Sequence, residues 1–313
     1  MKKSQKGMAV VIALLLVALA ASASALMLWQ QHLWWRQVEE EQTRAQVREV
    51  TRAGITWAVA VLQYNRMTSP VVYPGQLWAQ PMPETEAQGV KVSGTLTDMQ
   101  GRFNLNALGT REGVQDPLRV AQFRRLLAQL HLPLSLSNAL MNHMQLRVGD
   151  ASQEGGPPAL SANWLERLDM LRWVTGFTPE VIARLEPYVT VLPQSVNRIN
   201  VNTAPVPLLK ALMPDVDPGM LEAQSRQRVV NYFVNVADFI NRVKPDAERD
   251  RVKDWASTDS GWFRLESRVK QGRIVLATRA MVKVDPSEGG ARVIWRQDGV
   301  GALPRQETHD NNP

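Results

Sequence analysis

The 313-residue sequence contains no cysteine, which excludes disulfides, thiolate nucleophiles and cysteine-bound metals. Histidine is almost as scarce: His32, His131, His143 and His309 form no close pair, so a zinc site has nothing to be built from. No G-x-S-x-G, Walker loop, G-x-G-x-x-G or H-E-x-x-H string occurs, and the chain reads as having no enzymatic activity and no cofactor. Two further absences carry positive information. Residues 8–28 contain no charged side chain, and residues 8–53 contain neither proline nor glycine.

What precedes the uncharged stretch is short and basic. Residues 1–7 (MKKSQKG) hold Lys2, Lys3 and Lys6, and the 21 residues that follow make about 31 Å of helix, enough to cross a bilayer core. The positive-inside rule then places the N-terminus in the cytoplasm and the bulk of the chain across the membrane. An ordinary secretory signal is the competing reading, because Ala21-Ser22-Ala23 and Ala23-Ser24-Ala25 both offer small-x-small cleavage sites. Against it, no breaker follows Ala25, and helical character is expected to persist to about Met67, where Ser69-Pro70 stops it. The net charge of +6 falls to 33 basic against 30 acidic residues once the leader is set aside. Much of the basic balance is thus targeting, and a nucleic-acid partner is not indicated.

Beyond residue 28 the expected helix changes character twice. Residues 36–49 are rich in charge, with Glu40 and Arg44 at i,i+4 spacing. From there Val50, Gly54, Trp57, Ala58 and Val61 form an apolar face for a globular domain. Trp29, Trp34 and Trp35 sit where the helix would leave the bilayer and suit an aromatic belt; packing against a neighbouring chain is the alternative.

The rest of the chain divides by composition. Residues 70–89 are rich in Pro, Gly and Gln and read as a loop; Val90, Val92, Gly94 and Leu96 then alternate, and a turn at 98–101 leads to residues 102–106 as the second arm of a hairpin. Helical patterns separated by Pro and Gly occupy 117–130, 134–146, 161–176, 179–188, 204–213, 219–230 and 236–243. Alternation returns at 263–269, 274–284 and 292–295, with Gly272 turning a hairpin, and residues after 297 are expected to be disordered. The fold class is therefore α+β. A long N-terminal helix packs on a small antiparallel sheet that is interrupted by an inserted all-α domain. The divisions are a leader at 1–7, the helix at 8–67, sheet residues at 68–115 and 256–297, the insertion at 116–255 and a tail at 298–313.

Two polar strings stand out. In residues 97–108 (TDMQGRFNLNAL), Gly101 supplies a turn while Asn104 and Asn106 can tie loop backbone with their amides. In residues 198–205 (RINVNTAP), Asn202 or Thr203 can cap a following helix and Pro205 suits its first turn. This second string is similar to the opening of helix-hairpin-helix modules, including those of competence DNA receptors, so a membrane-tethered DNA-binding protein is the rival function. Residues 213–219, however, carry Asp215 and Asp217 where bare backbone would meet phosphate. The same pair begins a calcium-loop pattern that fails at its twelfth position, Arg226, where a bidentate Glu is needed.

A basic leader ending in Gly7, a hydrophobic Met8 after it, and a helix half in and half out of the membrane resemble the type IV pilin and pseudopilin class. Members are cut after that Gly by a prepilin peptidase, which also methylates the new amino terminus. Counting from Met8, the fifth residue is Ile12, where most members carry a Glu that pairs with the amine of the neighbouring subunit. The exception is the K-type minor pseudopilin of type II secretion systems. The chain resembles that family further through Gly101, Asn104, Leu105 and Asn106, through Asn200, Asn202, Thr203 and Ala204, and through the large helical insertion. The resemblance implies a single-pass inner-membrane protein with a periplasmic bulk, placed at the tip of the pseudopilus, where it initiates assembly and supports export. It implies I-type and J-type minor pseudopilins, the prepilin peptidase and the inner-membrane secretion platform as partners, and no nucleic acid. It also implies calcium binding in the insertion, where members carry an acidic D-W-L-D-x-D segment. Residues 138–150 here hold Asp150 as their only acid, so no calcium ligands are assigned.

Overall fold

The computed structural model describes residues 5–87, 89–146, 163–244, 249–285 and 290–299. Helix α1, Gln5–Thr68, runs unbroken for 64 residues, about 96 Å, as the absence of Pro and Gly through residue 53 permits. Its first half presents Met8, Leu14, Val17, Leu26 and Trp29 at more than half exposure, and it is long and apolar enough to cross a membrane. Residues 1–4 of the leader, and the side chains of Gln5 and Lys6, lie outside the described residues.

The second half of α1 supports a five-stranded antiparallel sheet. Its strands are β1 (Met82–Ala87), β2 (Val90–Asp98), β7 (Trp262–Gln271), β8 (Ile274–Asp285) and β9 (Gly290–Asp298), in the order β1-β2-β7-β8-β9. The buried positions of the helix are Val47, Thr51, Ile55, Ala58, Val61, Leu62 and Asn65, spaced as one helical face. Of the face expected from the sequence, Ala58 and Val61 are buried and Val50 and Gly54 half-buried, while Trp57, at 48% exposure, is corrected to the outer side. Thr51 can face the sheet because its hydroxyl donates to the Val47 carbonyl at 2.8 Å, so a polar residue stands in the apolar stripe without an unpaired group. Ala58, with no exposed surface, lets β7 and β8 approach closely at Leu265 and Ala280.

Gly272, with φ +55°, opens the two-residue connection that joins β7 to β8, as expected for a tight hairpin. Two other strand expectations fail. Residues 70–89 are not all loop. They contain a short 3-10 turn that buries Trp78, and they contain β1, whose Pro83 falls at a register shift on the sheet edge, where a missing N–H is tolerated. The hairpin of 90–96 with 102–106 does not form either. Strand β2 pairs instead with β1 and, over Lys91–Asp98, with β7, while β3 (Phe103–Asn104) pairs in parallel with β4 (Val189–Thr190). A sequence-local partner loses to a distant one because β7 buries Leu265 and Val269 opposite Leu96 and Val92. Strand β9 runs to Asp298, and the expected tail beyond residue 299 lies outside the described residues.

Between β2 and β7 lies a helical unit with one continuous core, from Phe103, Leu105 and Leu108 through Trp255 and Ala256. Its helices are α2 (Pro117–Gln129), α3 (Ser135–His143), α4 (Pro179–Leu185), α5 (Val206–Leu212), α6 (Pro218–Gln227), α7 (Val236–Val243) and α8 (Arg249–Trp255). Caps fix their starts: Asp116, Thr178, Asp217 and Asn235 each accept from a backbone N–H in the first turn. Of the expected helix at 161–176, residues 161–162 lie outside the described set and the remainder forms only a 3-10 turn, Leu168–Trp173. The final pair of strands is parallel, β5 (Ile199–Asn200) with β6 (Ala256–Ser257).

Substitutions at adjacent positions test the corrected face of α1. Ala58→Leu should cost about 1–3 kcal/mol by overpacking against Leu265 and Ala280, whereas Trp57→Ala should stay within about 0.5 kcal/mol, as read by urea unfolding of the full-length protein in detergent. Equal losses would return the face to Trp57.

Candidate functional site

Both polar strings come together where the sheet meets the helical unit. Asp98, the last residue of β2, is 4% exposed and collects donors from three separate stretches of chain. Its Oδ2 accepts from Asn200 Nδ2 at 2.8 Å and Thr203 Oγ1 at 2.6 Å; its Oδ1 accepts from the Gln100 N–H at 2.8 Å and from the Ser260 hydroxyl. Burial pushes the Asp98 carboxyl above its usual range, and the four hydrogen bonds offset part of that rise. Gly101 lies against Thr203 so closely that a Cβ there would collide with the threonine side chain. The Asn200 N–H bonds the Gln100 carbonyl at 2.8 Å, and the Asn200 side chain also donates to the Val72 carbonyl at 3.0 Å, drawing in the segment just after α1.

Within the helical unit the two strings repeat one device. Asn104 Oδ1 accepts from the Asn106 N–H, and Asn200 Oδ1 accepts from the Asn202 N–H. The second asparagine then closes on a distant residue from both sides. Asn106 accepts from the Leu165 N–H at 3.0 Å and donates to the Leu165 carbonyl at 2.9 Å; Asn202 does the same with Phe233, at 2.8 and 2.9 Å. An asparagine amide carries a donor and an acceptor side by side and can mimic a strand edge. This clamp explains why no helix passes through Leu165: both of its backbone groups are committed to Asn106 rather than to neighbours four residues away. The repeat was visible in the sequence as Arg102-Phe-Asn-Leu-Asn and Arg198-Ile-Asn-Val-Asn, a signal that reading each string separately missed.

Several expected roles change. Asn202 and Thr203 do not cap α5; Pro205 occupies the cap position without a side-chain bond, because the amide and hydroxyl are already engaged with Phe233 and Asp98. Leu105, Asn200, Asn202 and Ala204 have no exposed surface and serve as buried ties; in the stretch at 213–219, where the DNA-binding reading would put phosphate, Asp215 and Asp217 are exposed. Asp217 caps α6 through the Met220 N–H at 2.8 Å. A calcium ion needs several converging oxygens, and among the described residues no group of three His, Asp or Glu side chains could hold one; Asp150 lies outside them. The processing and filament residues stand far away on α1: Met8 and Ile12 are 65% and 55% exposed.

A second polar cluster lies across the junction. Arg264 and Arg279 from the sheet reach Glu186 of the helical unit at 3.0 and 3.7 Å, and both contact Glu266, at 3.3 and 2.9 Å. Arg102 donates to the Glu186 carbonyl at 2.6 Å; burial, then repulsion from Arg264, lowers its pKa to about 10. These contacts are charge-assisted and largely shielded, and they hold the helical unit at a second point.

The geometry gives two expectations. Asn202→Ala should cost about 2–3 kcal/mol by leaving both backbone groups of Phe233 unpaired. For Asp98, a folded pKa above 3.8 means that proton binding favours the folded state, so its contribution is greatest below about pH 4 and falls as pH rises through the folded pKa. The stability of the wild type over Asp98→Asn should therefore shrink from pH 4 to pH 8 in chemical denaturation; a difference that widened would contradict the assigned shift.

Comparison with known proteins follows the same division. Residues 101–194 match a family model described as Type II secretion system (T2SS), protein K, and residues 199–258 match a second with the same description, each beginning at one of the two strings. Type II secretion system protein K of Klebsiella pneumoniae is 25% identical over 323 aligned positions, covering 96% of this chain and 98% of that protein. The Pectobacterium carotovorum protein is 24% identical, again over 96% and 98%. The Aeromonas hydrophila protein is 34% identical over 155 positions, spanning 42% of this chain and 47% of that relative. Among solved structures, the GspK-GspI-GspJ complex from the enterotoxigenic Escherichia coli Type 2 Secretion System holds a chain of the same fold, with TM-score 0.69 and 22% identity over 84% of this chain and 99% of that one. With both polar strings heading a family match and relatives aligned along nearly the full length, the chain belongs to the type II secretion system protein K family, the minor pseudopilins of that system.

Proposed function

We propose that this minor pseudopilin is the tip subunit of the pseudopilus, where it initiates assembly and supports export across the outer membrane. One observation carries the placement: the helical unit joins the rest of the chain at the far end of α1. Asn200 bonds Val72, four residues beyond the helix, and Arg66 pairs with Asp259, so the bulk lies at the opposite end of a rod of about 96 Å from Met8. A mass of that size is accommodated most easily where no subunit lies above it. Ile12 points the same way, since a residue without a carboxylate cannot neutralise the amine of a subunit above, while the amine at Met8 can attract a carboxylate from below.

In this reading the prepilin peptidase cuts after Gly7 and methylates Met8. The exposed apolar half of α1 spans the inner membrane once, and the sheet and helical unit stand in the periplasm. The inner-membrane platform receives the chain. By analogy with the related GspK-GspI-GspJ complex, I-type and J-type minor pseudopilins pack beside it. The role is structural, without catalysis and without a required metal.

The N-terminus tests processing: sequencing of the mature protein should begin at N-methylated Met8, whereas a start at Ser24 or Leu26 would indicate ordinary signal peptidase and remove the basis of the assignment. Placement is tested by Ile12→Glu, which adds a carboxylate with no amine above it to pair with. Fewer pseudopili, or subunits drawn into the shaft, should be seen by labelling. Unchanged number and position, with the wild type found along the shaft, would separate Ile12 from tip placement.

A further inference from the structure

The two edges of the sheet are built differently. Edge strand β1 carries Pro83, Glu84, Glu86 and a register shift, features that discourage pairing with another chain. Edge strand β9 spans nine residues without proline or lysine; among the described residues its outer backbone groups have no strand beside them, and Val293 and Ile294 are 39% and 41% exposed. Its one irregularity is an extra residue at Ile294, between Val293 opposite Val282 and Trp295 opposite Met281.

Beside this edge runs a groove between the sheet and the helical unit. Two adjoining cavities of about 210 and 540 Å³ share Val191, Met281 and Trp295 in their walls, and the larger is also lined by Trp164 and Ile294. Five arginines but only three carboxylates line the pair of cavities. Arg264 and Arg279 are met by Glu186 and Glu266, and Arg167 by Asp169 at 3.1 Å, which leaves Arg111 and Arg172 against Glu166 and gives the groove a small positive excess. Thr190, 1% exposed, also lines it, and its hydroxyl has no hydrogen-bond partner among the described residues.

We propose that the outer edge of β9 and this groove receive an extended acidic strand from a neighbouring membrane-anchored pseudopilin, a contact that rests on the assembly reading above. An unpaired edge selects an extended segment, the arginine excess selects carboxylates on it, and the tryptophan-lined wall takes its apolar side chains. A second copy of this chain fits poorly. Strand β9 carries a single carboxylate, Asp298, already bonded to Arg296 at 2.8 Å and Thr278 at 2.7 Å, so a second β9 edge offers no acidic side chain to the groove. The edge also lies against α1, with Gly290 at Gln63, so a subunit whose own helix runs alongside α1 meets it directly.

The absence of native cysteine allows a clean test in secreting cells. Val293→Cys, Glu84→Cys on β1 and Val38→Cys on the exposed surface of α1 are each labelled, in the full-length chain, with a thiol-reactive benzophenone and illuminated. Val293→Cys should cross-link to another pseudopilin and Glu84→Cys should not; adding Arg172→Glu, which inverts one groove charge, should cut the Val293 yield about fivefold. Capture through Val38 but not Val293 overturns the strand contact while leaving assembly intact. Capture of an exported protein or of a second copy at Val293 overturns it as well, as does a yield indifferent to Arg172→Glu. No capture at either site removes the assembly reading and this contact together.

Discussion

The buried carboxylate of Asp98 is the constraint on which the arrangement of this molecule depends. It ends the sheet strand that leads into the helical unit, and it is reached by side chains that return from more than 100 residues later. Removing a carboxylate from water is costly, and the cost is tolerable only while the donors remain in place. The helical unit therefore cannot tilt away from the sheet without exposing four donors and a charge to an incomplete shell. Ser260, the last of these donors, belongs to the return path toward β7, so the carboxylate also closes the loop that the helical unit forms in the sheet.

The paired asparagines extend this logic inward. A helical unit interrupted by many prolines and glycines has stretches of backbone with no helix or sheet to satisfy them, at Leu165 and Phe233 among others. One amide per stretch supplies both missing bonds, and the other asparagine of each string fixes the loop that presents it. Residues that look chemically promising in the sequence are thus structural. Their burial removes them from contact with any ligand and explains their value to a chain that cannot use disulfides.

Helix α1 links this junction to the membrane. One half of it is a surface for lipid, the other a spine for the sheet, and the transition occurs within a single unbroken element. A continuous helix transmits position over its whole length, so the orientation of the head relative to the membrane is set by helix packing rather than by a flexible linker. That is the property a filament subunit needs, and it agrees with the family to which the chain belongs.

How much of this was legible beforehand follows from the range of the forces involved. The sequence by itself determined the long helix, its membrane half, the helical insertion, the C-terminal hairpin at Gly272 and the family, because these rest on local periodicity, breakers and contiguous strings. It also pointed to the two asparagine strings as backbone ties or caps. Only the tertiary structure decided which face of α1 meets the sheet, since Thr51 counts as polar until its hydroxyl is seen to bond Val47. Only it showed that β2 takes β7 rather than residues 102–106, that Asn202 clamps Phe233 instead of capping α5, and that Asp98 gathers both strings. Each of these choices pits a nearby partner against one tens to hundreds of residues away. The outcome is set by burial and by the need to pair every buried polar group, quantities that exist only once the chain has folded.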